Sequence, residues 1–296
     1  MREWIYVRAV TSYKYIHGRD YKTTFFGNTT YLASINSSCC RWIFSSHAWS
    51  CRAFWSRSRW LGVPGVVVID LCFVDKKEVE ISDQGFFVFG LSKNRKNDVL
   101  IEVVKNNVKE KYIKKVYKRT YKIQKIDGLP SKQVTPPKEV YARIKNDNKL
   151  IAKARSTDSN LIFFTSKFKI PIEDTIITGV YGSQRILNGI PKSPHYGLDF
   201  AAKEGTEIKA MLDGTVTLSE KDLYYTGGTI IFDHGHGVST LYMHMKDVHV
   251  AKGQKIKQGD VIGTVGKTGR STGAHLDVRL NWFDVKLDPA SVLKLN

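Results

Sequence analysis

From Ile170 to the C-terminus the chain sustains no helical apolar period; short apolar runs alternate with glycine turns instead. EIKAMLDGTVTLSE carries an Asp-Gly turn between two such runs, and GGTIIFDHGHG is an apolar run ending in a glycine-rich turn. GQKIKQGDVIGTVGKTG alternates short runs with Gly. This texture predicts an antiparallel all-β domain over 171–296.

Upstream, from about Gly62, the runs VVVIDL, KKEVEIS and FFVFGL, with the turn DQG, are followed by Val99–Val104 and the Lys-rich KEKYIKKVYKRTYKIQK. They predict a small β module over 62–126. IDGLPSKQVTPP reads as a linker. After it, Val140, Ile144 and Ile151 fall on one face of a helix that serves as spacer or brace, so 127–170 is linker and helix.

Residues 1–61 hold five of the six Trp and three of the four Cys with no period. Two readings stand: a basic aromatic surface-binding tail, or a mis-assigned start. Cys39, Cys40, Cys51 and Cys72 lack metal-type spacing. Arg2, Arg8, Lys14, Arg19 and Asp20 break up any export signal, and no apolar run reaches the ~18 residues of a spanning helix.

The net charge of +18 invites an anionic partner. Yet residues 171–296 hold 14 basic and 14 acidic groups, so the whole excess lies in 1–170. Lys, Arg and aromatics interleave there, which admits single-stranded nucleic acid. No nucleic-acid motif accompanies them, so an anionic envelope polymer is the expected partner of that part.

Function has to be sought among the histidines, six of which lie between 195 and 275. His195-Tyr-Gly-Leu-Asp199 sets an imidazole and a carboxylate four apart, and Gly197 would let the chain bend so that both reach one ion. In LYMHM, Leu241, Met243 and Met245 alternate with Tyr242 and His244, so one strand face is apolar and the other presents His244. In AHLDVRLNW, Leu276, Val278 and Leu280 take one face and His275, Asp277 and Arg279 the other. An exposed sheet face is the alternative for each strand alone. His234 and His236 are read as turn residues, His249 as a surface residue and Tyr242 as packing; His17 and His47 fall in the N-terminal segment.

The runs HYGLDFAAKEGTEIKAMLDGTVT, GGTIIFDHGHGVSTLYMHM and VAKGQKIKQGDVIGTVGKTGRSTGAHLDVRL together resemble the catalytic domain of the lysostaphin/LytM-type zinc metallopeptidases, over about 171–290. The resemblance implies a mainly β, duplicated hybrid motif-like fold and hydrolysis of peptide bonds in peptidoglycan in the bacterial envelope or periplasm. It implies one zinc ion on His195 and Asp199, with His244 and His275 assisting the chemistry. The third family ligand is the second His of His-x-His, and here Asp277 stands in its place. A carboxylate can hold zinc but adds a negative charge, and Arg279 offers Asp277 an ion pair instead. The alternative to an enzyme is therefore a degenerate relative that binds the wall or activates other hydrolases.

Overall fold

The computed structural model describes residues 4–8, 69–128, 134–293 and 295. The expectations for the N-terminal segment, with His17, His47, Cys39, Cys40 and Cys51, fall outside them.

The first sheet runs in the order β3 (Lys77–Val79), β2 (Leu71–Val74), β5 (Val99–Lys105) and β6 (Val108–Lys114). Beside it, β4 (Phe86–Gly90) pairs antiparallel with β1 (Trp4–Arg8). FFVFG alternates as a strand with two covered faces must. Phe87 and Phe89 pack with Cys72, Val99 and Ile101, whereas Val88 joins the larger core with Leu287. Trp282 packs on the first cluster from the other side. The small sheet is thus joined to its neighbour by side chains from both. Cys72 is a buried free thiol pushed up to about 12 by burial, so it is an apolar core residue.

The Lys-rich run does not continue as one strand. β6 ends at Lys114, and β7 (Ile123–Ile126) pairs in parallel with β9 (Gln184–Leu187), which also pairs with β10 (Ile190–Pro191). Exposed residues between β6 and β7 carry the chain to a different sheet, a topology that alternation alone does not specify.

Among the described residues the main sheet has ten strands, all pairs antiparallel. Its path is β16 (Lys255–Ile256), β13 (Gly214–Leu223), β14 (Gly227–Asp233), β15 (Val238–Val248), β18 (His275–Trp282), β11 (Leu198–Ala201) and β8 (Ile176–Gly179). Off that path, β17 (Val261–Val265) pairs with β12 (Glu207–Lys209) and β15, and β19 (Val285–Leu287) pairs with β18. The predicted antiparallel β fold is the observed one.

Both faces of this sheet are covered, which is why GGTIIFD is buried at every position, with Ile230, Ile231 and Phe232 apolar in succession. Ile230, Phe232 and Tyr242 face the main core. Leu218, Ile231, Leu241 and Met243 face α1 (Tyr141–Arg155), whose Leu150, Ile151 and Ala154 pack on them. The buried Asp147 of α1 accepts the backbone N–H of Tyr224 at 2.8 Å, so the helix braces the β13–β14 hairpin.

Candidate active site

The predicted alternation in LYMHM breaks at His244. Leu241 and Met243 do share a face, but Met245 packs in the main core beside Tyr242. The cause is His244 itself, whose φ of +65° inserts a left-handed residue into the strand. Before it, β15 pairs with β18; after it, β15 pairs with β17. The chain bends where the two partners diverge, and His244 stands at that fork. Its N–H donates to the Thr226 carbonyl at 2.8 Å.

β18 keeps strict alternation. Leu276, Val278 and Leu280 are buried without residual exposure, and His275, Asp277 and Arg279 share the opposite face. That face is no open surface, since Asp277 is 2% exposed. β11 lies directly alongside with Asp199 opposite Asp277, and His195 comes from the segment just before it.

Three side chains converge. His195 Nε2 is 3.1 Å from Asp199 Oδ1 and 3.2 Å from Asp277 Oδ2, and one donor atom from each of the three residues lies within 4.8 Å of the others. Ligands at about 2.0–2.2 Å from a tetrahedral zinc stand roughly 3.3–3.6 Å apart, so these spacings suit one small divalent ion. Two glycines make the approach possible. A Cβ at Gly197 would stand 1.9 Å from Asp277 Oδ1, and one at Gly179 would stand 2.0 Å from Asp199 Oδ2. Gly197 therefore serves by leaving room for the facing carboxylate. The bend expected of it is not where its role lies, because its φ is not in the left-handed region.

The donor chemistry also fits a cation. Asp199 Oδ1 is buried and makes no well-directed hydrogen bond among the described residues, its close neighbour being His195 Nε2 at 3.1 Å. Burial alone would disfavour a charged His195, but Asp277 and Asp199 overcome it and raise the imidazole to about 9. A proton there occupies the position a metal would take, and the two compete. His195 Nδ1 is buried without a partner among the described residues, unlike the usual metal-bound imidazole, whose second nitrogen is held.

Asp277 is held on its other side by Arg279, with Nη2 3.0 Å from Oδ2. Burial opposes its charge, yet Arg279 and His195 keep the carboxyl well below the usual range. Arg185 reaches Asp199 Oδ2 at 3.4 Å. Each carboxylate therefore has its own arginine. The charge that Asp277 adds in place of an imidazole is cancelled by Arg279, two residues along the same face.

Two further imidazoles complete the cleft. His244 and His275 have ring centroids 4.8 Å apart. His244 Nδ1 is 2.9 Å from the Thr268 carbonyl, and His275 Nδ1 is 2.9 Å from the Gly273 carbonyl and 3.1 Å from Ser271 Oγ. A carbonyl only accepts, so Nδ1 carries the proton in both rings and Nε2 keeps its lone pair. Burial, reinforced by His275, lowers His244 to about 4 against the pull of Asp277.

These groups line a cleft of about 540 Å³. A larger cavity of about 1130 Å³, lined by Arg119, Lys167, Lys169 and Lys209 among others, has no histidine among the described residues, so the candidate ligands and the His244–His275 pair all belong to the smaller cleft. The remaining histidines take other places. His234 and His236 are buried in the β14–β15 turn, His249 is exposed, and Tyr242 packs against Phe232 while accepting the Met211 N–H at 2.9 Å. Sequence reasoning missed Arg185, which no periodicity marks, and the Ser271 and Thr268 groups that orient the imidazoles.

Residues 193–289 match the model of peptidase family M23, the family that the three motifs resemble. DD-carboxypeptidase/endopeptidase Mpg of Neisseria meningitidis is 40% identical over 98 residues, 33% of this chain and 22% of its own length. Peptidoglycan DD-endopeptidase ShyA of Vibrio cholerae is 38% identical over 104 residues, 35% of this chain and 23% of its own. The chain thus matches less than a quarter of these relatives. A crystal structure from Pseudomonas aeruginosa assigned to peptidase M23 aligns over 75% of this chain and 86% of its own, with 27% identity and a TM-score of 0.54.

Proposed function

We propose that the chain, whose residues 193–289 form a family M23 domain, is a zinc-dependent endopeptidase acting on the peptides of peptidoglycan in the bacterial envelope. One observation carries the reading: a His/Asp/Asp triad within 4.8 Å lies in the same cleft as two imidazoles that both keep a lone pair.

His195, Asp199 and Asp277 would hold the ion. Bound there, it would polarise the scissile carbonyl and acidify a water enough for attack near neutral pH. His244 and His275 manage the protons. Two rings 4.8 Å apart carry two charges only at a cost, so the pair takes up one proton beyond the two already on Nδ1. That proton comes from the attacking water at Nε2, and the ring that takes it becomes an N–H donor to the oxyanion or leaving amine. Thr268 and Gly273 keep each Nδ1 occupied and each Nε2 turned to the cleft. Arg279 offsets the charge of Asp277, so the triad need not be weaker as a Lewis-acid site than one with a second imidazole.

The test is metal analysis of the purified protein combined with peptidoglycan digestion by wild type, His195→Ala and His244→Ala. Wild type is expected to hold about one zinc and release peptides, His195→Ala to lose both, and His244→Ala to keep zinc but lose release. A wild type that takes up no zinc on reconstitution and releases nothing would overturn the enzyme reading in favour of a wall-binding relative built around the Asp277–Arg279 ion pair.

A further inference from the structure

The cleft is far more cationic than the proposed reaction requires. Among the described residues its lining includes Arg185, Lys192, Arg270, Arg279 and Lys286, against two carboxylates, Asp199 and Asp277. Both carboxylates face His195 and each already has an arginine. Among the described residues Lys192, Arg270 and Lys286 have no carboxylate partner within salt-bridge distance.

Two of these three are held in place without being neutralised. The Arg270 guanidinium lies 4.4 Å over the Tyr225 ring, and its backbone N–H donates to the Tyr225 carbonyl at 2.9 Å. Its loop is fixed by Gly269, at φ +67°, where a Cβ would come within 2.5 Å of the Gly227 nitrogen. The Lys286 ammonium lies 4.2 Å over the Tyr196 ring. An aromatic face orients a cation but leaves its charge and its N–H donors available. Burial comes first in holding Arg270 below its usual value, with Arg185 and Arg279 adding to it against the pull of Tyr225 and Tyr224; burial with Arg155 and Arg279 does the same to Lys286 against the pull of Asp284. Neighbouring cations therefore repel one another here, and a divalent ion on the triad adds to the excess. An incoming anion relieves that repulsion, whereas a neutral peptide leaves it in place.

We propose that the cleft selects peptides bearing a free carboxylate beside the scissile bond, and that Arg270 on its Tyr225 platform receives that carboxylate, with Lys192 and Lys286 supporting it. The inference rests on the peptidase reading above and narrows its substrate. The carboxylate is either the peptide's C-terminal group or a side-chain group, and the test separates the two.

The full-length, zinc-loaded protein is given one wall-type peptide in three forms: both carboxylates free, the C-terminus amidated, and the side-chain carboxylate amidated. kcat/KM is measured for wild type, Arg270→Gln and Arg270→Lys, and binding of the same peptides to wild type is measured by titration calorimetry. One of the two amidations is expected to lower kcat/KM and affinity about tenfold or more, the range of a charge-assisted hydrogen bond, and so to identify the recognised group. Arg270→Gln should lose a similar factor on the free peptide and nothing on the peptide already amidated at that group, with Arg270→Lys between. Equal handling of all three peptides by wild type, or a uniform loss by Arg270→Gln on all of them, overturns the proposal. If no form is cleaved, the peptidase reading is what fails. The calorimetry then still decides the carboxylate preference, which stands if the free form binds more tightly and falls if it does not.

Discussion

Two pairs of histidines lie close together in the fold and differ in what they can do. His234 and His236 occupy the turn between β14 and β15; His244 and His275 stand where β15 leaves β18. His234 uses both ring nitrogens, with Nδ1 2.7 Å from the Asp213 carbonyl and Nε2 2.8 Å from Thr240 Oγ1. Nothing is left to accept a substrate proton. His236 is buried against Phe164, with neither nitrogen hydrogen-bonded among the described residues and Glu80 Oε2 standing 4.0 Å from Nδ1, so it acts chiefly as an aromatic filler. His244 and His275 each commit one nitrogen to a backbone carbonyl and keep the other for the cleft. What separates the rings is whether the fold leaves a nitrogen free and places it in the cleft, because all four are the same chemical group: His234 fails on the first count, His236 on the second.

The sharpest way to break this comparison is to truncate one ring from each pair. His244→Ala is expected to lower kcat by about 10²–10⁴ while leaving the melting temperature within a few degrees. His234→Ala should do the reverse, keeping kcat where the protein is folded and costing about 2–4 kcal/mol of stability through a cavity and two orphaned partners. A large loss of kcat in His234→Ala, with the fold intact by circular dichroism, would contradict the division.

A next test moves to the ligands. Asp277→Asn removes the charge that faces His195 and, at a ligand position, should weaken zinc binding by about tenfold or more in a competition titration. Arg279 would then face a neutral amide. If affinity is unchanged, Asp277 belongs to an ion pair and not to the metal site.

Acid sensitivity separates the pairs more gently. Burial holds His234 at about 4 against an ordinary value near 6.5, with the Asp213 carbonyl opposing only part of the shift. A histidine depressed on folding contributes stability that is complete above pH 6.5 and is lost as pH falls through 4. Denaturant titrations should therefore show His234 costing wild type up to about 3 kcal/mol over that window, a loss that His234→Gln lacks. The smallest effect is expected at His236. His236→Phe fills the same space without unbonded nitrogens and should change stability by no more than about 1 kcal/mol.

The β domain was legible because period-2 patterns and glycine turns act locally. AHLDVRLNW alternates so regularly that the shared face of His275, Asp277 and Arg279 could be read directly, and the spacing of His195 and Asp199 likewise brought them to one point. LYMHM was legible only up to Met243. The reversal at His244 depends on a partner exchange between β18 and β17, which are distant in sequence. Arg185 was silent for the same reason, since its relation to Asp199 exists only once β9 and β11 are placed.

By itself, then, the sequence determined the strands, the turn positions and the residue types able to bind a metal and move a proton. Periodicity and spacing are properties of neighbours along the chain. Tertiary structure alone decided which histidines keep a free nitrogen, that Arg279 cancels the charge of Asp277, and that Gly197 makes room for a carboxylate from another strand. Each of those depends on distances of 2–4 Å between residues brought together by strand pairing, and such distances are not written in the order of the residues.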